Sequence, residues 1–207
     1  MAIKNKDLVK VWDKGKLVET NIQFLTAPTK KVNFPLSNEI RSIIEDLIDT
    51  YKATPCAGIA ANQIGYNKSI FIGMEYDDRP EEGKDDGQDL DEVERDSNNY
   101  EIYINPQIDK FDKKSMQIGD EGCLSIPNLT LQIERYDKIK VRYYNLEGRS
   151  IKKPLNKFIS RLYQHELDHL NGKLMIEDRE KIKDGFINEQ ISQELFYQLL
   201  NRFNEHG

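Results

Sequence analysis

The chain has 207 residues, enough for one substantial hydrophobic core, and we expect a single domain over residues 1–207. Hydrophobic residues make up 38% and charged residues 32%, and no apolar run approaches the ~20 residues that a membrane span requires. The N-terminal segment lacks the apolar stretch of a secretory signal, so we expect a cytoplasmic protein of formal net charge −6 rather than a membrane or secreted one.

The first predicted element is an amphipathic helix over residues 36–51. Its apolar side chains recur at helical spacing, Ser37 or Asn38 can cap its start, and Pro55 lies beyond its end. We expect this helix to face the core.

The next segment, from Ala57 to Gly65, is rich in small residues. We interpret it as a loop that lets the backbone pass close to another part of the molecule. Four short strands are then predicted, at residues 68–74, 100–105, 139–144 and 150–153. The last two form a hairpin around a turn at residues 145–148.

Residues 77–98 form an acidic insertion between the first two of these strands. The insertion holds eleven acidic and three basic residues, and we expect a solvated, mobile loop. The rest of the chain carries a net charge of +2, which is too nearly neutral to indicate direct nucleic-acid binding.

The clearest helix covers residues 156–171, with Pro154 before it, Asn156 as a possible cap and Gly172 at its end. A last helix is predicted from about residue 188 to residue 203. This order of elements predicts an α+β domain, in which the central helix packs against antiparallel sheets and further helices lie towards both termini.

The central helix contains a His-Glu-x-x-His motif. His165 and His169 are four residues apart, so both imidazoles can face one metal ion, while Glu166 can reach a water at that ion. Two surface histidines beside a chance glutamate are the alternative. Phe158 and Leu162 precede His165 on the same stripe, which makes the stripe apolar and favours a buried metal site.

Catalytic sites of this type usually have a third protein ligand besides a water. Glu177, Asp178 or Glu180 could supply it from downstream, as in a zinc protease. Cys123 could supply it from upstream, although a lone cysteine is more often a small core residue. The residues themselves leave both possibilities open.

Three segments taken together resemble the peptide deformylase family. They are Gly58-Ile59-Ala60-Ala61-Asn62-Gln63, Glu121-Gly122-Cys123-Leu124-Ser125 and Gln164-His165-Glu166-Leu167-Asp168-His169-Leu170. They occur in the family's order, and the resemblance extends from about residue 36 to about residue 180, including Asn105-Pro106, Arg135 and Arg161. It implies a peptide-deformylase-like fold with one catalytic domain.

The resemblance also implies roles for individual residues. Cys123, His165 and His169 would bind one divalent ion, with Fe(II) as the physiological metal and Zn(II) or Ni(II) as substitutes. Glu166 would move the proton, while the Gln63 side chain and the Leu124 N–H would stabilise negative charge on the reacting oxygen. Closely packed Gly58 and Gly122 would leave room near the ion for the formyl hydrogen but little more, and Glu121 would contact the substrate backbone or orient its loop. Phe158 and Leu162 share the His165 face, so they could form the wall of the methionine pocket or belong to the plain core.

The implied reaction removes the formyl group from N-formylmethionyl peptides or nascent chains and releases formate. We expect a monomer with no membrane partner and no direct nucleic-acid-binding motif, and ribosome association remains open. The last helix is polar and partly acidic, so it offers no basic tail for docking.

One departure from the family pattern is Cys56, which stands where the family has a glycine and could reshape the rim of the substrate cleft. Two alternatives remain open on the sequence. One is a metalloendopeptidase that uses the same His-Glu-x-x-His motif, and the other is a divergent, non-catalytic member that binds metal or peptide.

Overall fold

The computed structural model describes residues 6–78, 96–187 and 193–204. In these ranges the helices are α1 (Glu19–Leu25), α2 (Asn38–Ala53), α3 (Lys157–Leu170) and α4 (Gln193–Asn204). The strands are β1 (Trp12–Asp13), β2 (Lys16–Leu17), β3 (Gly58–Ala60), β4 (Ile70–Gly73), β5 (Glu101–Phe111), β6 (Met116–Cys123), β7 (Ile126–Tyr136), β8 (Lys138–Tyr144), β9 (Ser150–Asn156) and β10 (Ile182–Ile187).

The strands form antiparallel sheets of five, three and two strands within the described part of the chain. Their orders are β3-β4-β5-β8-β9, β10-β7-β6 and β1-β2. The central helix α3 packs against β3, β4, β8 and β9 of the first sheet and against β7 of the second. This confirms the predicted α+β class and the predicted place of the central helix.

The aromatic packing under α3 explains why its inner face is fixed. Tyr163 is 1% exposed and meets Phe71 and Tyr103 edge to face, with ring centroids 5.2 and 5.3 Å apart. Leu170 joins the same cluster, and Gly172 ends the helix with a positive φ of 71°. The imidazole-bearing stripe of α3 is thereby held in one orientation.

The other helices cover the remaining apolar faces. Helix α2 buries Ile40, Ile44 and Leu47 against the five-stranded sheet, and Ser37 Oγ caps it by accepting a hydrogen bond from the Ile40 N–H at 3.3 Å. Helices α1 and α4 complete a second cluster on the three-stranded sheet. This cluster includes Ile22, Leu25, Ile133 and Leu199.

The prediction of a loop from Ala57 to Gly65 was wrong in part. Gly58–Ala60 is an edge strand paired with β4, and Ala61–Ile64 forms a 3₁₀ turn that Gly65 ends with a φ of 89°. The small residues serve close packing within a strand rather than a loop.

The segment that ends at Cys123 contains Gly119 and Gly122, residues typical of turns, but it forms a strand. Residues up to Cys123 form the edge strand β6, and only Leu124 and Ser125 turn the chain into β7. Gly119 occurs in a strand because Arg161 packs directly over it, and an added Cβ would lie 3.1 Å from Arg161 Cζ.

Other outcomes concern the ends of elements. The hairpin of β8 and β9 is confirmed, while β10 and α1 were not predicted. Residues 79–95 of the acidic insertion and residues 188–192 of the predicted last helix lie outside the described residues.

None of the described helices combines the length and the hydrophobicity needed to cross a membrane.

Candidate metal centre and active site

Three metal-ligand side chains converge between the two larger sheets. Cys123 comes from the end of β6, whereas His165 and His169 lie one turn apart on α3. One ligand atom from each residue lies within 4.8 Å of the others, and Cys123 Sγ is 3.3 Å from His169 Nε2. Ligands around one tetrahedral ion at 2.0–2.3 Å are separated by roughly 3.5 Å, so this set fits a single divalent cation.

The Cys123 thiol has the electrostatic surroundings of a ligand. Its residue is 8% exposed, and burial alone would raise its pKa. The imidazoles of His169 and His165 outweigh burial and lower the pKa of the thiol to about 5. The thiolate, which is the form that binds metals, therefore predominates at neutral pH.

Glu121 orients the first imidazole. Its Oε2 lies 2.9 Å from His165 Nδ1, which leaves Nε2 of that ring for an ion. Arg135 Nε and Arg161 Nη1 donate to Glu121 Oε1 at 2.7 and 2.8 Å, and Arg135 Nη1 reaches Asp168 Oδ2 at 2.5 Å. Burial favours the neutral acid, but the His165 and Arg135 contacts dominate and hold the pKa of Glu121 well below its usual range.

Glu166 occupies the position expected of a proton carrier. It is 2% exposed, and its Oε2 has no hydrogen-bond partner among the described residues. Burial raises the pKa of Glu166 to about 7, although His165 and His169 oppose that shift. A carboxylate with such a pKa can accept a proton and return it near neutral pH.

Gln63 places an amide beside the thiolate. Its Oε1 accepts the Ala60 N–H at 2.9 Å, which turns Nε2 towards Cys123 Sγ at 3.7 Å and Ser125 Oγ at 3.3 Å. The side chain is 2% exposed and so is fixed in this orientation. This geometry suits a donor to an oxygen that gains negative charge near the ligands.

Two further polar contacts of the site were not anticipated from the sequence. Ser125 Oγ shares the Gln63 amide, and Asn62 Nδ2 donates to the His169 carbonyl at 2.6 Å. Both residues lie inside the quoted motifs, but only the folded chain shows which atoms they meet.

A pocket of about 570 Å³ opens onto this cluster. The expected substrate residues all line it, and so do Cys123, His165, Glu166 and Gln63, whereas His169 lies beneath the wall. These expected substrate residues are Gly58, Glu121, Gly122, Phe158 and Leu162, and Leu124, the expected oxyanion donor, lines the pocket as well. The half-buried Cys56 also lies on the wall, at the place where the family pattern has glycine.

The two glycines of the pocket differ from one another. A Cβ on Gly58 would lie 2.7 Å from Glu166 Oε1 and 2.8 Å from Leu162 Cδ1, so this strand passes directly over the carboxylate. A Cβ on Gly122 would meet nothing closer than the Leu129 carbonyl at 3.9 Å. The expected close packing therefore holds for Gly58 and was wrong for Gly122.

The segment before β1 forms a wall of the pocket that was not predicted. Leu8 and Lys10 line the pocket, and two backbone hydrogen bonds hold the segment in place. The Val9 N–H donates to the Gln63 carbonyl at 2.8 Å, and the Val11 N–H donates to the Ser125 carbonyl at 2.9 Å.

The downstream carboxylates lie elsewhere. Glu177 Oε1 accepts the Leu174 N–H at 2.7 Å, and Asp178 pairs with Lys181. Both acids line a separate cleft, so the geometry does not favour the protease-like ligand set over Cys123.

Comparison with known proteins identifies the family. Residues 15–184 match the family model described as polypeptide deformylase. The chain belongs to the polypeptide deformylase family. The match begins at residue 15, well before residue 36, where the motif resemblance started, and it continues across the acidic insertion.

Individual relatives agree with this assignment. The peptide deformylase of Aquifex aeolicus is 35% identical over 150 residues, which cover 72% of this chain and 78% of that protein. The peptide deformylase of Thermus thermophilus is 35% identical over 147 residues, covering 70% and 72%.

Solved structures share the fold. The crystal structure of peptide deformylase from Thermotoga maritima superposes with a TM-score of 0.65 at 27% identity, covering 87% of this chain and 99% of that one. The Synechococcus elongatus enzyme in complex with actinonin gives a TM-score of 0.66 at 24% identity, covering 99% and 91%. The second similarity shows the fold alone.

Proposed function

We propose that this protein is a metal-dependent peptide deformylase, which hydrolyses the N-formyl group of N-formylmethionyl peptides of nascent proteins and releases formate. The observation that carries the proposal is the convergence of one thiolate and two imidazoles beside a buried carboxylate, in a chain of this family. Family resemblance supports Fe(II) as the proposed physiological ion, with Zn(II) or Ni(II) as substitutes, and a thiolate with two imidazoles suits borderline-soft divalent ions of this kind.

Cys123, His165 and His169 would hold the ion, which supplies Lewis acidity and a lowered pKa for a water. Glu166 lies next to this set, and its Oε2 accepts no hydrogen bond from any residue that the structure describes. It accepts the proton of the attacking water and then returns it to the amine that leaves. Its pKa of about 7 suits both transfers.

Negative charge grows on the formyl oxygen as the water attacks. The Gln63 amide and the Leu124 N–H are the proposed donors to that oxygen, and both residues line the pocket. Loss of one such donor typically costs about 10²–10³ in rate. Because Gln63 is already oriented by the Ala60 N–H, little reorganisation is needed during the reaction.

The pocket wall supports a preference for formyl over larger acyl groups. Gly58 passes within contact distance of Glu166 and Leu162, so the strand leaves little room beside the carboxylate. Phe158 and Leu162 supply the apolar surface proposed for the methionine side chain. Glu121 acts through His165 in this proposal, since both of its oxygens are engaged by protein groups.

We propose that the protein acts in the cytoplasm as a monomer. One copy suffices for the proposed reaction, because all of the proposed site residues come from one chain. Its substrate is a nascent peptide, so association with ribosomes is a further prediction, which co-sedimentation can test.

The decisive experiment measures formate release from formyl-Met-Ala-Ser by protein loaded anaerobically with Fe(II). We expect turnover by the parent, and Glu166→Gln should retain the ion but lose about 10²–10⁴ in kcat because no group carries the proton. Acetyl-Met-Ala-Ser is the matched control substrate and should react far more slowly. Absence of formate from the loaded parent would favour a non-catalytic binding protein.

A further inference from the structure

Strand β9 runs into helix α3 without a loop, so a single residue makes the turn between them. The strand ends at Asn156 and the helix begins at Lys157, whose φ of 51° lies in the left-handed region. A lysine seldom adopts this backbone conformation, because its Cβ then crowds the backbone. A strained residue of this kind persists only where its surroundings hold it, and such residues are frequent beside functional sites.

Two side chains from other parts of the chain hold the backbone of Lys157. Asp137, between β7 and β8, accepts the Lys157 N–H through Oδ1 at 3.0 Å. Gln117 on β6 donates from Nε2 to the Lys157 carbonyl at 2.8 Å. Asp137 and Gln117 together form a helix-start clamp. Lys157 itself is exposed, so the clamp engages its backbone rather than its side chain.

Asp137 is fixed in turn, and it caps the helix. Its Oδ2 accepts the Ser115 hydroxyl at 3.0 Å, and its N–H donates to the Ser115 carbonyl at 2.8 Å. Asn156 makes no side-chain capping bond. The first N–H groups of a helix have no intrahelical partner, and a carboxylate near this end is favourable. Asp137 therefore supplies, from a distant part of the sequence, the cap that was expected from Asn156.

The first turn of α3 carries part of the pocket wall. Phe158 directly follows Lys157 and lines the metal-site pocket, as does Leu162 one turn later. The metal-binding histidines lie further along the helix, where the buried Tyr163 fixes it against the sheet. Helix ends fray because their terminal N–H groups lack partners within the helix. The orientation of Phe158 therefore depends on the helix-start clamp.

We propose that Asp137 and Gln117 are positioning residues for the substrate, because they hold Phe158 as a rigid wall of the pocket for the methionine side chain. This inference rests on the proposed function, and it adds two residues that do not themselves line the pocket. A wall that is already rigid loses little conformational freedom when the side chain binds, so the affinity for methionine is higher. A mobile wall would discriminate less between side chains.

The test compares formate release from formyl-Met-Ala-Ser and from formyl-Ala-Ala-Ser, whose first side chain is too short to fill the pocket. Asp137→Ala should raise KM for the methionine substrate about tenfold, with kcat within about twofold of the parent. KM for the alanine substrate should change by less than about twofold, so the preference for methionine falls. Asp137→Asn should restore the parental constants, because its amide oxygen can still accept the Lys157 N–H. Gln117→Ala is a second variant with the same expected direction.

Position 157 tests the backbone strain directly. Lys157→Gly should keep the parental KM, because glycine adopts a positive φ without strain. Lys157→Val should raise KM in the manner of Asp137→Ala, because a β-branched residue resists this conformation. The matched control is Asp96→Ala, since Asp96 Oδ1 also accepts a backbone N–H, that of Asn98 at 2.8 Å, in the turn before β5. This control should leave KM for both substrates unchanged.

Amide hydrogen exchange of residues 157–162 gives a readout that does not depend on activity. Exchange there should be faster in Asp137→Ala than in the parent, while exchange in residues 163–170 stays the same. Faster exchange together with no formate from the parent would contradict the proposed function alone. Parental exchange and parental KM in both Asp137→Ala and Gln117→Ala would overturn the inference. Equal losses on both substrates with a lower kcat would also overturn it, in favour of a general structural role.

Discussion

Cys123 illustrates how one side chain acquires its chemistry from its neighbours. A buried thiol would ordinarily be a neutral, inert core group, yet the two imidazoles lower its pKa to about 5. The charge on sulfur is therefore a property of the folded site rather than of the cysteine alone.

Cys123→Ala should abolish tight metal binding, since only two imidazoles would remain. Metal content after dialysis, measured by mass spectrometry of the ion, checks this result. Cys56→Ser is the control at the other cysteine and should retain the ion. A Cys123→Ala variant that keeps both the ion and turnover would indicate an endopeptidase-like ligand set.

The pH dependence of kcat/KM should report Glu166. The carboxylate must be ionised to accept a proton, and its pKa of about 7 is set mainly by burial. Activity should therefore fall as the pH drops through the pKa of Glu166. A bound cation favours the ionised carboxylate, so the fall should lie at or below about pH 7. Activity on formyl-Met-Ala-Ser that stays constant down to about pH 5 would argue against this role.

Residues in the site differ in how far the sequence predicts them. Helical spacing alone indicates His165, His169 and Glu166, whereas Cys123 could be preferred only through resemblance. The arrangement of Glu121 with Arg135 and the contact of Asn62 with His169 could not be predicted. They depend on pairings between segments that are distant in sequence, which spacing does not encode.

At the scale of elements, the approach of β3 to α3 fixes the surroundings of Glu166, the proposed proton carrier. The backbone of Gly58 lies so close to Glu166 that no side chain fits between them. The strand and the helix can keep this separation only while the position lacks a Cβ.

Gly58→Ala should therefore displace Glu166 or Leu162 and reduce kcat by about 100-fold, as expected for a reacting group moved by about 1 Å. Metal content should stay at the parental level, because the atoms nearest the added Cβ belong to Glu166 and Leu162 rather than to a proposed ligand. The comparison variant is Gly122→Ala. Its added Cβ has room, so the thermal midpoint of this variant should equal that of the parent. Full activity in Gly58→Ala would show that the strand can move away freely.

Elements with a strong local pattern were predicted, and those without one were not. Helices α2 and α3 show apolar residues at helical spacing, and the hairpin of β8 and β9 shows alternation around a turn. Strand β6 contains four consecutive acidic or glycine positions before Cys123, which indicate a turn locally. It is a strand because β7 supplies its hydrogen-bonding partner, a contact that only the tertiary fold provides.

At the scale of the molecule, the ligand cluster connects the two larger sheets. Cys123 belongs to the three-stranded sheet, whereas the histidines lie on the helix that packs against the five-stranded sheet. An ion that binds only the folded arrangement adds to the free energy of unfolding by mass action.

Removal of the ion by a chelator should consequently lower the thermal midpoint. At a free metal concentration 100 times Kd the expected loss of stability is about 2.7 kcal/mol. Differential scanning calorimetry with and without the chelator measures the change. Cys123→Ala serves as the reference, because its midpoint should not respond to the chelator, and an equal response of both proteins would contradict the linkage.

The backbone hydrogen bonds from Val9 and Val11 to the carbonyls of Gln63 and Ser125 make the start of the chain a structural support of the reaction centre. Proteolytic trimming during expression that passed Leu8 would spare every ligand, so metal analysis would not reveal the damage. Turnover should nevertheless change, because Gln63, the proposed oxyanion donor, would lose the backbone hydrogen bond from Val9. Intact mass is therefore the quality criterion to apply before kinetic constants from separate batches are compared.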